Sequence, residues 1–91
     1  MMQYEWDDAK AAANLKKHAV SFDEAASVFL DVLALSGKDP DHSLSESRFV
    51  SFGYSSLGRP LAVFHTHRAE CIRIISARRM TKVERKMYEE N

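Results

Sequence analysis

Ile72-Arg73-Ile74-Ile75-Ser76-Ala77-Arg78-Arg79, followed at once by Thr81-Lys82-Val83-Glu84-Arg85-Lys86-Met87-Tyr88, is the stretch on which the fold turns. Its first half is an apolar, β-branched run of strand length. Its second half opens with Thr81 and Glu84 at capping-box spacing, the start signal of a helix. A strand that runs straight into a basic helix gathers guanidinium groups beside a helix N-terminus, an arrangement suited to phosphate. In a regular strand Ile72, Ile74, Ser76 and Arg78 share one side, and Cys71, Arg73, Ile75 and Ala77 the other. Met80, Val83 and Met87 recur at helical spacing and give the last helix its expected inner face.

Upstream, residues 49–54 and 61–66 are further strand-like runs. The turn segments 55–60 and 67–70 separate the three, and connections of that length imply antiparallel hairpins. Residues 32–35 read as a strand ahead of a polar loop over 37–43. Tyr4-Glu5-Trp6 reads as a short strand. Asp7 and Asp8 then cap an alanine-rich helix in which Ala12, Leu15 and Ala19 share a face. Lys16, Lys17 and His18 crowd its last turn. Ser21 and Glu24 form a second capping box, and Phe22, Ala25, Ala26 and Phe29 give that helix a buried stripe ending at Asp31. The expected order is β-α-α-β-β-β-β-α, an α+β fold with helices packed on a mainly antiparallel sheet.

Composition sets the bounds. Ninety-one residues (1–91) suit one small domain, and 45% hydrophobic with 29% charged residues is ordinary for a globular chain. No apolar run is long enough to span a bilayer, and the N-terminus lacks the layout of a signal peptide. Cys71 is the one cysteine, which excludes an intrachain disulfide and makes a cytoplasmic setting the expectation. Net charge is formally zero, against a binder that is basic throughout. Its distribution is uneven: residues 1–67 hold six Lys or Arg against nine Asp or Glu, whereas 68–91 hold seven against four. An electrostatic footprint is therefore local.

The candidate chemistry follows from residue types. His65 and His67 fall on the same side of a strand, but two histidines without a second pair are a weak zinc signal, so no metal site is assigned. No glycine-rich phosphate loop is present. Metal-free RNA cleavage needs activation of the ribose 2′-hydroxyl, stabilisation of charge on phosphate, and protonation of the leaving 5′-oxygen. Histidine suits the proton transfers and arginine the charge. Lys17, His18, Arg73, Arg78 and Tyr88 supply the catalytic types, and Arg48, Arg79 and Arg85 supply cations for an RNA backbone. Each also has a structural reading; Lys17 and His18 suit the negative end of the first helix.

Trp6-Asp7, Ala9-Lys10, Asn14, Lys17-His18-Ala19-Val20-Ser21-Phe22, Asp39-Pro40-Asp41-His42, the strand from Ile72 to Arg78, Glu84-Arg85 and Tyr88-Glu89 together resemble the BrnT family. The resemblance implies a small toxin of a type II toxin–antitoxin system with a RelE-like fold. It implies RNA cleavage that blocks translation without a cofactor. It also implies neutralisation by a BrnA-type antitoxin whose ribbon-helix-helix end binds DNA, so that the toxin meets DNA only indirectly and no membrane is involved. Lys17, His18, Arg73 and Arg78 fall in matching motifs, and Tyr88 is the counterpart of a C-terminal tyrosine. Ala19 departs from the family's usual glycine and implies strain or another turn geometry. Two rival readings are a non-catalytic antitoxin-binding partner and a metal-binding domain built on His65 and His67.

Overall fold

The computed structural model describes residues 2–39 and 47–91. Among these, strands β1 (Gln3–Glu5), β2 (Leu35–Lys38), β3 (Phe49–Tyr54), β4 (Pro60–Arg68) and β5 (Cys71–Arg79) form one sheet in the order β1-β5-β4-β3-β2. Strands β2 to β5 pair antiparallel, and β1 joins β5 in parallel. Helices α1 (Asp8–His18) and α2 (Phe22–Ser27), then a 3-10 turn over Val28–Leu30, lie between β1 and β2; α3 (Lys82–Glu89) ends the chain. The α+β class and the order β-α-α-β-β-β-β-α are as expected. The loop carrying Pro40, Asp41 and His42 lies outside the described residues.

The core fills one face of the sheet. Leu61 and Val63 of β4 and Ile72, Ile74 and Ala77 of β5 meet Val20, Phe22, Ala25 and Val28 from the helical layer. Burial of this apolar surface is the main force holding the two layers together. Tyr4 stacks on Phe29 with centroids 5.5 Å apart, and Trp6 meets the edge of Phe22 at 5.9 Å, closing the margin.

The presence of Ala77 in that core corrects the simple alternation expected along β5. Phe64 pairs with Ser76 but His65 pairs with Ile74, so Ile75 is an extra residue. This bulge shifts the phase of the strand. Ala77 continues the inward line of Ile72 and Ile74, while Ser76 and Arg78 move to the opposite face, which also carries Arg73.

The face of α1 that Ala12, Leu15 and Ala19 share does not turn inward. Ala12 and Leu15 are exposed, and the buried residue is Asn14. Strand β1 covers the edge of β5 only from Cys71 to Arg73. Further along, the Asn14 side chain takes the place of a strand partner. Its Nδ2 donates to the Ala77 carbonyl (2.9 Å) and the Val20 carbonyl (3.0 Å), and its Oδ1 accepts from the Ala77 N–H (3.1 Å). Helix α1 then ends on Ala19 in the left-handed region (φ 57°, ψ 33°), with its N–H bonded to the Leu15 carbonyl. The turn keeps a glycine's geometry while carrying a methyl group, which is strained. Arg59 Nη2 donates to the Ala19 carbonyl (2.8 Å) and the same guanidinium grips Glu24. Glu24 is buried, and its carboxylate turns to Arg59 and Ser55, so only the Ser21 half of the expected capping box forms.

Residues 32–34 form a turn, not the expected strand. The Asp31 side chain accepts from Leu33 N–H (2.9 Å) and its carbonyl from Ala34 N–H (3.0 Å), which bends the chain before β2 begins. Gly37 and Lys38, expected in a loop, belong to β2. The other Asp31 oxygen accepts from Tyr54 N–H (2.8 Å) and Tyr88 Oη (2.6 Å). Gly53 allows that approach: a Cβ there would lie 3.0 Å from Val28 and 3.1 Å from the Asp31 carboxylate. The turn before β5 is shorter than expected, since β4 runs to Arg68 and Ala69 turns the chain at φ 52°.

The expected inner face of α3 is also overturned. Val83 is 79% and Met87 48% exposed, and no residue of this helix is buried. Glu84 and Tyr88 point to the body instead, because Arg78 and Asp31 offer them charged partners.

Ala19→Gly relieves left-handed strain and should raise stability by about 1 kcal/mol, a gain of several degrees in thermal midpoint. Asn14→Ala leaves the Ala77 N–H and C=O without their partner and should cost about 3 kcal/mol in urea unfolding. His65 gives a pH signature. It is 3% exposed, bonds Ser51 Oγ through Nε2 (2.8 Å), and packs against Phe29 and Phe49; burial pushes its pKa down to about 4. The unfolded chain takes up this proton near pH 6.5, so stability is full above that value and falls as pH drops towards 4. The slope should approach about 1.4 kcal/mol per pH unit and be much flatter in His65→Phe.

Candidate nucleic-acid interface

Helix α1 presents Lys10, Asn14, Lys17 and His18 along one side, since i, i+4 and i+7 positions align on a helix. Lys10, Lys17 and His18 line a depression of about 210 Å³ whose floor is Ile75 and Ser76. A second depression, of about 160 Å³, is lined by Asp39, Arg48 and Phe64 and again by Ile75 and Ser76. The two meet at the bulge in β5 and form a groove from the end of α1, over the sheet edge, onto the outer face. Each is smaller than the roughly 300–1,000 Å³ of a pocket that encloses a small molecule. The shape suits a chain lying across the surface.

Arg78 stands over the ring of Phe64, its guanidinium carbon 5.3 Å from the centroid. Its orientation is fixed by a fork onto Glu84, with Nη1 at 2.7 Å from Oε1 and Nη2 at 2.9 Å from Oε2. Glu84 Oε1 also accepts the Thr81 N–H in the capping box that starts α3. Hydrogen bonding to Arg78 holds the Glu84 carboxyl below its usual range, and Glu84 raises Arg78 in turn. Arg78 is thus a fixed, permanently charged donor that remains partly exposed. Arg73 shares this face and is paired to Glu5 at 2.9 Å.

Of the residues proposed from sequence, Lys17, His18 and Arg48 border the groove, and Arg78 stands at its Phe64 wall. Arg73 lies on the same sheet face, further along β5. Others are placed elsewhere. Arg79 points to the core face, where its charge helps to lower the Glu24 carboxyl. Arg85 is exposed and pairs with Glu89 at 3.4 Å. Tyr88 packs on Tyr54 and donates to Asp31, a bond that pushes its pKa up to about 12 and keeps it a neutral donor. The His65 and His67 rings are 5.4 Å apart, with His65 buried on Ser51. Among the described residues no group of three or more His, Cys, Asp or Glu gathers to hold a metal.

Sequence reasoning missed Lys10, Asp39, Phe64 and Ser76. Lys10 was legible, seven residues before Lys17 on one helix face. Phe64 and Ser76 were not, because the face that Ser76 and Arg78 take depends on the bulge, and their meeting with Phe64 on the register with β4. Among the described residues no helix is long and apolar enough to cross a membrane.

The groove joins amines, an imidazole and guanidinium groups to an aromatic ring, types that RNA backbone and bases engage, with Asp39 as the acid in its lining. A crystal structure of the Brucella abortus ribonuclease toxin BrnT superposes with a TM-score of 0.67, covering 90% of this chain and 100% of that one at 21% identity, which establishes a shared fold. No curated protein matches the sequence. A family model described as the ribonuclease toxin BrnT of type II toxin–antitoxin systems matches residues 6–84. That match spans most of the chain, both walls of the groove included, and the chain therefore belongs to the BrnT family of ribonuclease toxins of type II toxin–antitoxin systems.

Proposed function

We propose that this toxin is a metal-independent endoribonuclease that acts in the cytoplasm, blocks translation by cutting RNA, and is neutralised by a BrnA-type ribbon-helix-helix antitoxin. The observation that carries the catalytic reading is the convergence of Lys10, Lys17, His18 and Arg48 around the Ile75–Ser76 bulge, with Arg78 on the Phe64 wall.

His18 takes the proton from a ribose 2′-hydroxyl, and the 2′-oxygen attacks the adjacent phosphorus. The P–O5′ bond breaks, leaving a 2′,3′-cyclic phosphate; the departing 5′-oxygen takes a proton from water to become the 5′-hydroxyl, and the hydroxide left is neutralised by the proton that His18 holds. Arg78, already oriented by Glu84, and Lys17 offset the charge that develops on the phosphoryl oxygens. Lys10 and Arg48 hold flanking phosphates, and Phe64 offers its free edge to a base. Arg73 extends the positive face beside Glu5. Arg79 and Arg85 reach only RNA that continues beyond the groove, and Tyr88 acts by anchoring α3. The antitoxin contacts DNA; the toxin does so only through it.

Incubation with defined RNA in chelator at low salt tests this reading. Wild type should cleave, and Lys17→Ala/His18→Ala should lose at least about 100-fold in rate with an unchanged thermal midpoint, since both side chains are at the surface. Arg78→Ala should lose a similar factor and also about 1 kcal/mol of stability, because Glu84 loses its partner. Full activity of the double variant would remove the groove from the reaction. Wild-type activity that vanishes in chelator would overturn metal independence.

A further inference from the structure

We infer that the outward stripe of α3 is the docking surface for an amphipathic helix of the antitoxin, one with acidic residues flanking its apolar positions. The inference rests on the family's character as the toxin half of a two-protein module.

Helix α3 is amphipathic but inverted: its polar residues Glu84 and Tyr88 hold it to the body, and Val83 and Met87 face solvent. A helix whose apolar side is unburied lacks the usual reason for being amphipathic. The apolar surface continues past its last turn. Val32 (95% exposed), Leu33 (70% exposed) and Leu35 form the apolar wall of a depression of about 570 Å³ whose other wall, at the C-terminal end of α3, is Tyr88, Glu89 and Asn91, so the partner's acids belong on the lysine flank and not at this end. That volume accepts side chains from a partner. Stripe and depression together present apolar positions one helical turn apart followed by a socket, the pattern of helix-in-groove recognition.

The chemistry selects the occupant. Aliphatic and thioether groups do not favour RNA, whose recognition uses cations and aromatic faces. Lys82 and Lys86 sit four residues apart along one flank of the stripe and are exposed. An incoming helix is therefore best matched by Asp or Glu at i, i+4 on its facing flank. A second copy of this chain fits badly, because antiparallel α3 helices crossing at Val83 and Met87 would oppose the lysines of one copy with those of the other. The site also accounts for neutralisation. Glu84, beside Met87 at i, i+3 spacing on α3, holds Arg78, so a helix bound to the stripe lies beside the Phe64 end of the groove, where it obstructs a long RNA.

The test is titration calorimetry of purified toxin with the antitoxin encoded beside it, alongside the RNA cleavage assay. Val83→Asp/Met87→Asp changes two exposed residues outside the groove. It should keep wild-type cleavage and thermal midpoint, bind the antitoxin about 100-fold more weakly, and resist neutralisation. Lys82→Glu/Lys86→Glu should weaken binding about tenfold, with less salt dependence than wild type. Unchanged affinity in both variants would overturn the inference. So would a wild-type dimer in sedimentation that Val83→Asp/Met87→Asp dissolves, since the stripe would then serve self-association. If wild type cleaves no RNA, the catalytic proposal fails, and the titration still decides the surface.

Discussion

The bond between the Asn14 side chain and the backbone of Ala77 is the contact on which the rest of this small structure depends. Strand β1 covers only three residues of the β5 edge. Beyond it, the N–H and C=O of Ala77 are buried and need partners. One amide satisfies both, and the same Nδ2 also reaches the Val20 carbonyl, where the chain passes from α1 to α2. A single side chain therefore fixes the first helix against the sheet and sets the connection to the second. It also brings Lys10, Lys17 and His18 alongside Ile75 and Ser76.

The bulge at Ile75 completes this arrangement. Without the extra residue, Arg78 would point into the helical layer and Ala77 away from it. With it, the strand fills the core with Ile72, Ile74 and Ala77 and still presents Ser76 and Arg78 on the outer face. Bulges next to functional surfaces commonly re-aim side chains in this way. The zero net charge of the chain hides an uneven distribution. Acidic groups such as Glu24, Asp31 and Glu84 are each engaged by a specific partner, while Lys10, Lys17, His18 and Arg48 border a groove that Asp39 also lines.

Helix α3 is attached on different terms. Its contacts with the body are polar: a two-bond fork from Arg78 to Glu84 and a single bond from Tyr88 to Asp31. Asp31 carries the 32–34 turn, the start of the β3 exit at Tyr54, and the end of α3, all on one carboxylate. The helix is thereby oriented by charge-assisted bonds, which are directional, and its apolar side remains available. The same geometry places Val83 and Met87 on the face of α3 next to Glu84, which holds the fixed arginine.

The sequence by itself determined the class, the order of the elements and most of their ends. Capping signals at Asp7, Ser21 and Thr81 and the β-branched runs of β3, β4 and β5 are local, and local chemistry is legible in one dimension. The motifs around Lys17-His18 and Arg78 also carried the family. The errors share one cause. The strand expected at 32–35, the inner face of α3 and the parity of β5 rest on apolar periodicity. In each case a contact or pairing outside that periodicity overrode it: Asp31 with Tyr54 and Tyr88, Glu84 with Arg78 six residues earlier, and the cross-strand register that isolates Ile75. Which cations share a groove was decided in the same way. Side chains 30 to 68 residues apart meet only when the sheet is formed, because their partners are chosen by tertiary geometry and leave no period in the chain.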